Sequence, residues 1–349
     1  MNSKNILVLF GGTSPEHDIS VESASSIVSH LGRHRIIPVY ITTSGRWLMY
    51  DGKLDNLRNL NWERFGTPAI LSTDRANPGL LRLVGDKYKA IPIDVVLPAL
   101  HGPNGEDGTV QGLCELAGIP YVGCGVLASA VAMDKATTRL IARALKIPQA
   151  DFLAYTFEEF DHDKSKIMTK IGRKLGYPCF VKPSVGGSSI GITKAADRKE
   201  LEEAVQTAFK YCDKIIVEKQ VIGREVEVGI LGAGMAAKAS VVGEILPDGE
   251  FYTFDAKYKA DSKTVIPADI PEEISAKIQE YALQIFRTID GRGLSRVDFF
   301  VAENGQVLFN EINTVPGFTN ISMYAKMWEK SNVPFDDLME ILIAIAVGA

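Results

Sequence analysis

Ile6-Leu7-Val8-Leu9-Phe10 is an unbroken apolar run closed by Gly11-Gly12, and Val21, Ala24, Val28 and Leu31 then recur at helical spacing. This predicts a strand, a glycine loop and a helix. Residues 36–42 resume a strand pattern, and residues 94–100 repeat the strand-then-glycine arrangement, ending in His101-Gly102. Residues 1–122 are therefore expected to form an α/β domain around a parallel sheet. Within them, residues 54–89 are mixed and read as a variable excursion to which no function is assigned.

A second region, residues 123–217, carries a helix pattern over 133–145. Two buried-type strands follow, Cys179-Phe180-Val181-Lys182 and Ile215-Ile216-Val217-Glu218, with a glycine and serine loop (184–191) and a helix (198–210) between them. The third region, residues 218–349, is expected to begin with strands over 226–231 and 239–245. A helix over 274–288, a hairpin and a C-terminal helix from Pro334 should follow.

The chain has 349 residues, room for two or three domains. With 46% hydrophobic and 23% charged residues it reads as an ordinary soluble protein rather than a disordered one. A formal charge of −5 offers no attraction for a phosphate backbone, so nucleic acid is an unexpected partner. No stretch reaches the roughly 18 apolar residues of a membrane helix, and no signal peptide is legible at the start. The four cysteines lie far apart with no CxxC pair, which points to a reducing cytoplasm rather than a disulfide or zinc framework. His30 and His34, flanked by Arg33 and Arg35, read as a solvated cluster at a helix end.

The most informative stretch runs from Ser295 to Asn313. Asn304-Gly305 predicts a two-residue hairpin turn, which would set Phe300 opposite Phe309, Asp298 opposite Glu311 and Arg296 opposite Asn313 on one face. Two facing carboxylates repel, and a cation relieves them; with an amide they form the oxygen set Mg²⁺ accepts when it also bridges phosphates. The alternative is that Arg296 simply neutralises the pair as a surface salt bridge. Apolar Phe300 and Phe309 on the same face favour the metal.

Lys182-Pro183-Ser184-Val185-Gly186-Gly187-Ser188-Ser189-Ile190-Gly191 follows an apolar strand and reads either as a phosphate-covering flap or as a plain flexible turn. Glu218 could accept from an adenine amine or a ribose hydroxyl, with Glu225 beyond the turn at Gly223, although either alone also suits an exposed strand end. Gly11-Gly12-Thr13-Ser14-Pro15-Glu16-His17-Asp18 lacks the spacing of a dinucleotide fingerprint, which excludes a nicotinamide site. It offers Glu16 as an anchor for a cationic amine, and Asp18 or Ser20 as a helix N-cap.

Together the blocks GGTSPEHDIS, LHGPNGEDGTVQG, MDK, FVKPSVGGSSIG, VEK, DAKY, SRVDFF and FNEINTVPGFT, in that order from Gly11 to about Met323, resemble the D-alanine:D-alanine ligases of the ATP-grasp superfamily. The resemblance implies an N-terminal α/β domain followed by a two-domain ATP-grasp fold. It also implies ATP as co-substrate, two Mg²⁺ ions for which Mn²⁺ can substitute, and a homodimer formed through the first domain. Lys135, Lys182, Ser189, Glu218, Lys219, Glu225 and Lys257 would contact ATP, and Asp298, Glu311 and Asn313 the metal. In that family ATP phosphorylates one D-alanine and the amine of a second attacks the acyl phosphate, a step in peptidoglycan precursor synthesis. Glu16 would bind the first ammonium, with Ser188 and Tyr258 in reach. Arg296 and the Gly317 N–H would stabilise the oxyanion, and His101, Ser322 and Met323 would line the substrate site.

Relatives joining D-alanine to D-serine or D-lactate share most of these blocks. Tyr258 after Ala-Lys, and Met323 where D-serine-forming relatives tend to place arginine, both resemble the alanine pattern. The run Phe318-Thr319-Asn320-Ile321 departs from several members and leaves Ser322 less secured than Arg296 or Asp298. Another ATP-grasp ligase would not be expected to keep Glu16, Tyr258 and HGPNGEDG, and a non-catalytic nucleotide sensor would not be expected to keep the full acidic set. The loop over 251–264 and the flap over 184–191 are expected to close on substrate.

Overall fold

Three β-sheets, each partnered by helices, account for most of the computed structural model, which describes residues 2–348 except 53, 55–56, 58–60, 247–262 and 320. In the first sheet β1 (Asn5–Gly11) pairs in parallel with β2 (Arg35–Ile41) and β7 (Val95–Pro98). Beyond β2 lie β3 (Trp47–Met49), β4 (Thr67–Leu71), β5 (Leu80–Val84) and β6 (Lys87–Ile91), all antiparallel, with the short helix α2 (Trp62–Phe65) between β3 and β4. The expected parallel sheet is thus a mixed one. The stretch read as an excursion supplies most of its antiparallel half.

β1 is an unbroken apolar run because both its faces are covered. Ile6, Val8 and Phe10 join one core cluster, while Leu7 and Leu9 join another on the opposite face. The first cluster takes in α1 (His17–Ser29) and extends to Tyr324 and Trp328 of α9 (Met323–Lys330) and Leu338 and Leu342 of α10 (Phe335–Val347). The chain's two ends therefore share apolar packing. His30 and His34 belong to this contact, which corrects the solvated cluster expected for them. His30 stacks on Phe335 with centroids 4.0 Å apart and pairs with Asp336, and the buried His34 faces Glu340 at 2.9 Å.

The second sheet has the order β10-β9-β11-β8 and is antiparallel: β8 (Phe152–Thr156), β9 (Cys179–Pro183), β10 (Thr193–Ala195) and β11 (Lys214–Lys219). Its core is closed by α6 (Phe157–Lys174) and α7 (Arg198–Ala208). α6 was not expected from the sequence, although Thr156 and Glu159 form a reciprocal capping box at its start.

The third sheet, order β14-β13-β12-β15-β16, is built from β12 (Gly223–Ala233), β13 (Lys238–Leu246), β14 (Lys263–Val265), β15 (Arg292–Ala302) and β16 (Val307–Asn313). α8 (Glu272–Thr288) covers it with Ile278, Ala282, Ile285 and Phe286. Two further helices, α4 (Val126–Met133) and α5 (Lys135–Ala144), follow α3 (Thr109–Ala117) and lead from the first sheet into this core. Among the described residues no helix is long and apolar enough to cross a membrane, and all four cysteines are free.

Candidate active site

The hairpin of β15 and β16 carries the acidic pair, but its turn is one residue longer than expected. Glu303, Asn304 and Gly305 form a three-residue loop: the Ala302 N–H donates to the Gln306 carbonyl at 3.0 Å, and Gly305, at φ +79°, takes the left-handed position. Phe309 therefore faces Phe299, not Phe300. A bulge at Asn310 then adds one residue to β16 and cancels the offset, so that Asp298 faces Glu311 and Arg296 faces Asn313 as expected. The face itself is corrected. Phe299 and Phe309 are the core pair, with centroids 5.9 Å apart, whereas Phe300 lines a cavity beside Asp298.

Arg139 of α5, fully buried, ties that bulge down. Its Nη1 donates to the Phe309 carbonyl at 2.6 Å, and Nη2 meets the Glu218 carboxylate at 2.5 Å. Glu218 also pairs with Lys182 at 2.6 Å, so it is a buried anchor for two cations rather than an exposed strand end. Burial alone would raise its pKa; the charges of Arg139 and Lys182 outweigh this and hold it below the usual glutamate value.

One strand further in, Glu227 of β12 pairs with Asp298, so that Glu227, Asp298 and Glu311 form a row across three strands. Arg296 compensates them. Its Nε and Nη2 grip Asp298 at 2.8 and 2.7 Å, and Nε lies 3.1 Å from Glu227. Burial opposes the guanidinium charge, yet Asp298 and Glu227 push its pKa well above the ordinary value. The surface salt bridge considered from the sequence is thus a largely buried, bidentate one.

Two cavities meet at this row. The larger, about 220 Å³, is lined by Lys182, Ser189, Glu218, Lys219, Glu225 and Asp298, together with Arg139 and Phe300. The smaller, about 110 Å³, is lined by Glu16, His101, Lys135, Ser188, Arg296, Asn313, Gly317, Ser322 and Met323. Glu227, Ile245 and Glu311 border both. Lys257 and Tyr258 lie outside the described residues, as does most of the loop expected to close over the site.

The smaller cavity is assembled from distant parts of the chain. Glu16 itself occupies the N-cap of α1 without a capping side-chain bond, displacing the expected Asp18 or Ser20. Ser20 instead accepts from the Gly11 N–H at 2.8 Å and donates to the Ala99 carbonyl, tying β1's glycine loop to the end of β7. Ser188, in the flap after β9, hydrogen-bonds the Glu16 carboxylate. Ser188 and Ser189 both sit at positive φ, +49° and +59°, a strained conformation that functional loops retain. The flap's root is fixed: Ser184 donates to Asp134 at 2.6 Å, and the Lys135 ammonium donates to the Gly186 carbonyl at 2.6 Å. A Cβ at Gly187 would stand 2.9 Å from the Glu16 carboxylate, so any larger residue would have to push that side chain aside.

His101, buried under the cavity, contacts Ser23 at 2.9 Å, the Val315 carbonyl at 3.2 Å and Glu106 at 3.6 Å. Burial opposes its cation, but Glu106 and Glu16 lift its pKa above the ordinary histidine value. Ser322 accepts from the Thr319 N–H at 2.9 Å, and Met323 packs against Ile245 and Met327.

Arg139 and Glu227 were missed from sequence, though both left signals. Arg139 is four residues after Lys135 on one face of α5, and Glu227 is two after Glu225 on one face of β12. Glu106 was quoted within HGPNGEDG without a role; it accepts from the Gly102 N–H at 2.9 Å and faces His101.

As a metal centre the row offers hard oxygen donors only. Asn313 Oδ1 accepts from the Val315 N–H at 2.9 Å and keeps a second lone pair. Among the described residues no three His, Cys, Asp or Glu side chains form a cage that could hold an ion alone. The donor set therefore fits an ion that is also coordinated by phosphate oxygens.

Two family models match the chain: D-ala D-ala ligase N-terminus over residues 5–124 and D-ala D-ala ligase C-terminus over residues 141–344. A D-alanine–D-alanine ligase of Acetivibrio thermocellus is 47% identical, covering 99% of this chain and 96% of its own length. Among solved structures, the VanG D-Ala:D-Ser ligase from Enterococcus faecalis superposes with a TM-score of 0.89 at 37% identity, covering 99% of this chain and 100% of its own. The D-alanine-D-alanine ligase from Coxiella burnetii gives 0.85 at 35%, covering 100% of this chain and 95% of its own.

Proposed function

Because the chain belongs to the D-alanine–D-alanine ligase family, ATP-dependent enzymes that supply peptidoglycan synthesis, we propose that its two cavities divide that reaction between nucleotide and amino acids. The chain is an ATP-dependent ligase joining two D-alanine molecules. The observation that carries the division is the shared wall: Glu311 borders both cavities, with Arg296 on one side and Asp298 on the other.

In the larger cavity Lys182, Ser189, Glu218, Lys219 and Glu225 hold ATP, with Lys135 reaching its phosphates from the flap root. Glu218 acts there by orienting Lys182. Lys257 is proposed to complete this set. Asp298, Glu311 and Asn313 would hold two Mg²⁺ ions, or Mn²⁺ in their place, which would supply neutralisation of charge on the phosphates.

In the smaller cavity the buried Glu16 carboxylate receives the ammonium of the first D-alanine, with Ser188 at its side and Tyr258 in support. A carboxylate oxygen of that D-alanine attacks the γ-phosphorus and ADP leaves. The amine of the second D-alanine then attacks the acyl carbon. Arg296 and the Gly317 N–H stabilise the tetrahedral oxyanion, the attacking nitrogen gives up a proton, phosphate leaves with the bridging oxygen, and the dipeptide forms. Ser322 receives the second carboxylate, His101 supports the cavity floor, and apolar Met323 suits alanine rather than serine.

Domains of 1–122, 123–217 and 218–349 each carry one sheet, although β11 runs to Lys219 across the second boundary and α4 and α5 pack on the third sheet's core. A homodimer through the first domain is in keeping with exposed Leu116 on α3. A cytoplasmic location is in keeping with the free cysteines. The test is phosphate release from Mg·ATP with D-alanine, L-alanine, or D-alanine plus D-serine or D-lactate, the products identified by mass. D-alanine-dependent release with D-alanyl-D-alanine is expected, and a mixed product as the main species would overturn the roles given to Tyr258 and Met323.

A further inference from the structure

We infer that Glu227 is a positioning residue that takes over the Arg296 guanidinium when a divalent ion occupies Asp298. The inference rests on the reading above that Asp298 belongs to the metal set. Three observations carry it. Arg296 Nε has a single hydrogen, yet lies 2.8 Å from Asp298 Oδ1 and 3.1 Å from Glu227 Oε2, on two different strands. Gly229, paired with Arg296 on β12, offers it no side chain, and the β12 carboxylate next along is the buried Glu227, itself paired with Asp298. Glu227 also borders both cavities, where the nucleotide and amino-acid ends of the reaction meet.

The physical problem Glu227 solves is competition. An ion binding Asp298 must contend with a guanidinium that already holds both oxygens of that carboxylate, and two cations sharing one carboxylate repel. With Glu227 3.1 Å from the same N–H, Arg296 exchanges one charge-assisted hydrogen bond for another, stays ionised in a buried site, and releases Asp298. Without it, Arg296 loses the carboxylate that stands ready 3.1 Å from its Nε and resists the ion. Glu227 thus acts on the metal through Arg296, without being a ligand.

The test is Mn²⁺ binding, followed by electron paramagnetic resonance on the full chain with a non-hydrolysable ATP analogue, for wild type, E227Q, E227D and D298N. Both Glu227 variants are expected to bind Mn²⁺ about tenfold more weakly, the order of one charge-assisted hydrogen bond, with unfolding temperature and metal-free analogue binding unchanged. E227D keeps the charge but is a methylene too short for the contact. Wild-type affinity in E227D would make the effect a mere field and overturn the inference, as would unchanged affinity in both. Loss of Mn²⁺ in D298N alongside unaffected Glu227 variants refutes this inference alone. Retention of Mn²⁺ in D298N refutes the metal assignment beneath it.

Discussion

Arg139→Met isolates the tie between the nucleotide cavity and the acidic hairpin. Methionine keeps the length and apolar packing of the side chain but removes its contacts to Glu218 at 2.5 Å and to the Phe309 carbonyl at 2.6 Å. Breaking a buried ion pair costs about 3–5 kcal/mol when it strands the partner. Glu218 is not stranded, because Lys182 remains at 2.6 Å. The orphaned carbonyl adds about 1–3 kcal/mol, so a net loss near 3 kcal/mol is expected at neutral pH, measured by denaturant unfolding. The pH dependence has a definite sign. Glu218's folded pKa is lowered, so its contribution is present above the ordinary glutamate range and lost as pH falls through the lowered value. With Arg139 gone that value moves up, the loss begins at higher pH, and the gap between variant and wild type should narrow as pH falls through the variant's folded value toward the lower wild-type one. Amide exchange at 309–311 should quicken, because the bulge loses its anchor. A loss under about 1 kcal/mol with unchanged exchange there would refute the reasoning.

Asp298→Asn should abolish turnover; it takes the bidentate partner from the buried Arg296, but Glu227 stays 3.1 Å from that guanidinium, so the fold should hold, with circular dichroism and phosphate release checking the two halves. Gly102→Ala, at φ +71° with its new methyl directed onto the Glu16 carboxylate, should raise the KM for D-alanine roughly tenfold or more in steady-state kinetics. The stability gap between His101→Gln and wild type should be wider at about pH 6 than above the folded pKa, because a raised histidine pKa stabilises below the unfolded value and ceases to as pH rises through the folded one; unfolding temperatures followed across that range decide it.

Much of this site was legible because its chemistry is local in sequence. The flap follows its strand directly, and Glu16 follows the first strand's glycines. The hairpin shows where such reading succeeds by cancellation. Asn304-Gly305 marked the turn, but the loop took three residues, and only the bulge at Asn310 restored Asp298 to Glu311. Nothing near Asn310 announces a bulge, because Arg139, far away in sequence, fastens it. Glu218 looked like a strand-end acid for the same reason: its partners come from α5 and β9. The mixed first sheet was hidden because β6, its edge strand, is largely exposed, and β5 beside it is half-buried with no clean alternation.

The central claim is that an amino-acid carboxylate in the smaller cavity attacks the terminal phosphate held in the larger one. D-alanine carrying ¹⁸O in its carboxylate, turned over with Mg·ATP, tests it directly by mass analysis of the released phosphate. One ¹⁸O atom per phosphate is the predicted result, carried out by the bridging oxygen of the acyl phosphate. Unlabelled phosphate alongside D-alanyl-D-alanine would contradict it.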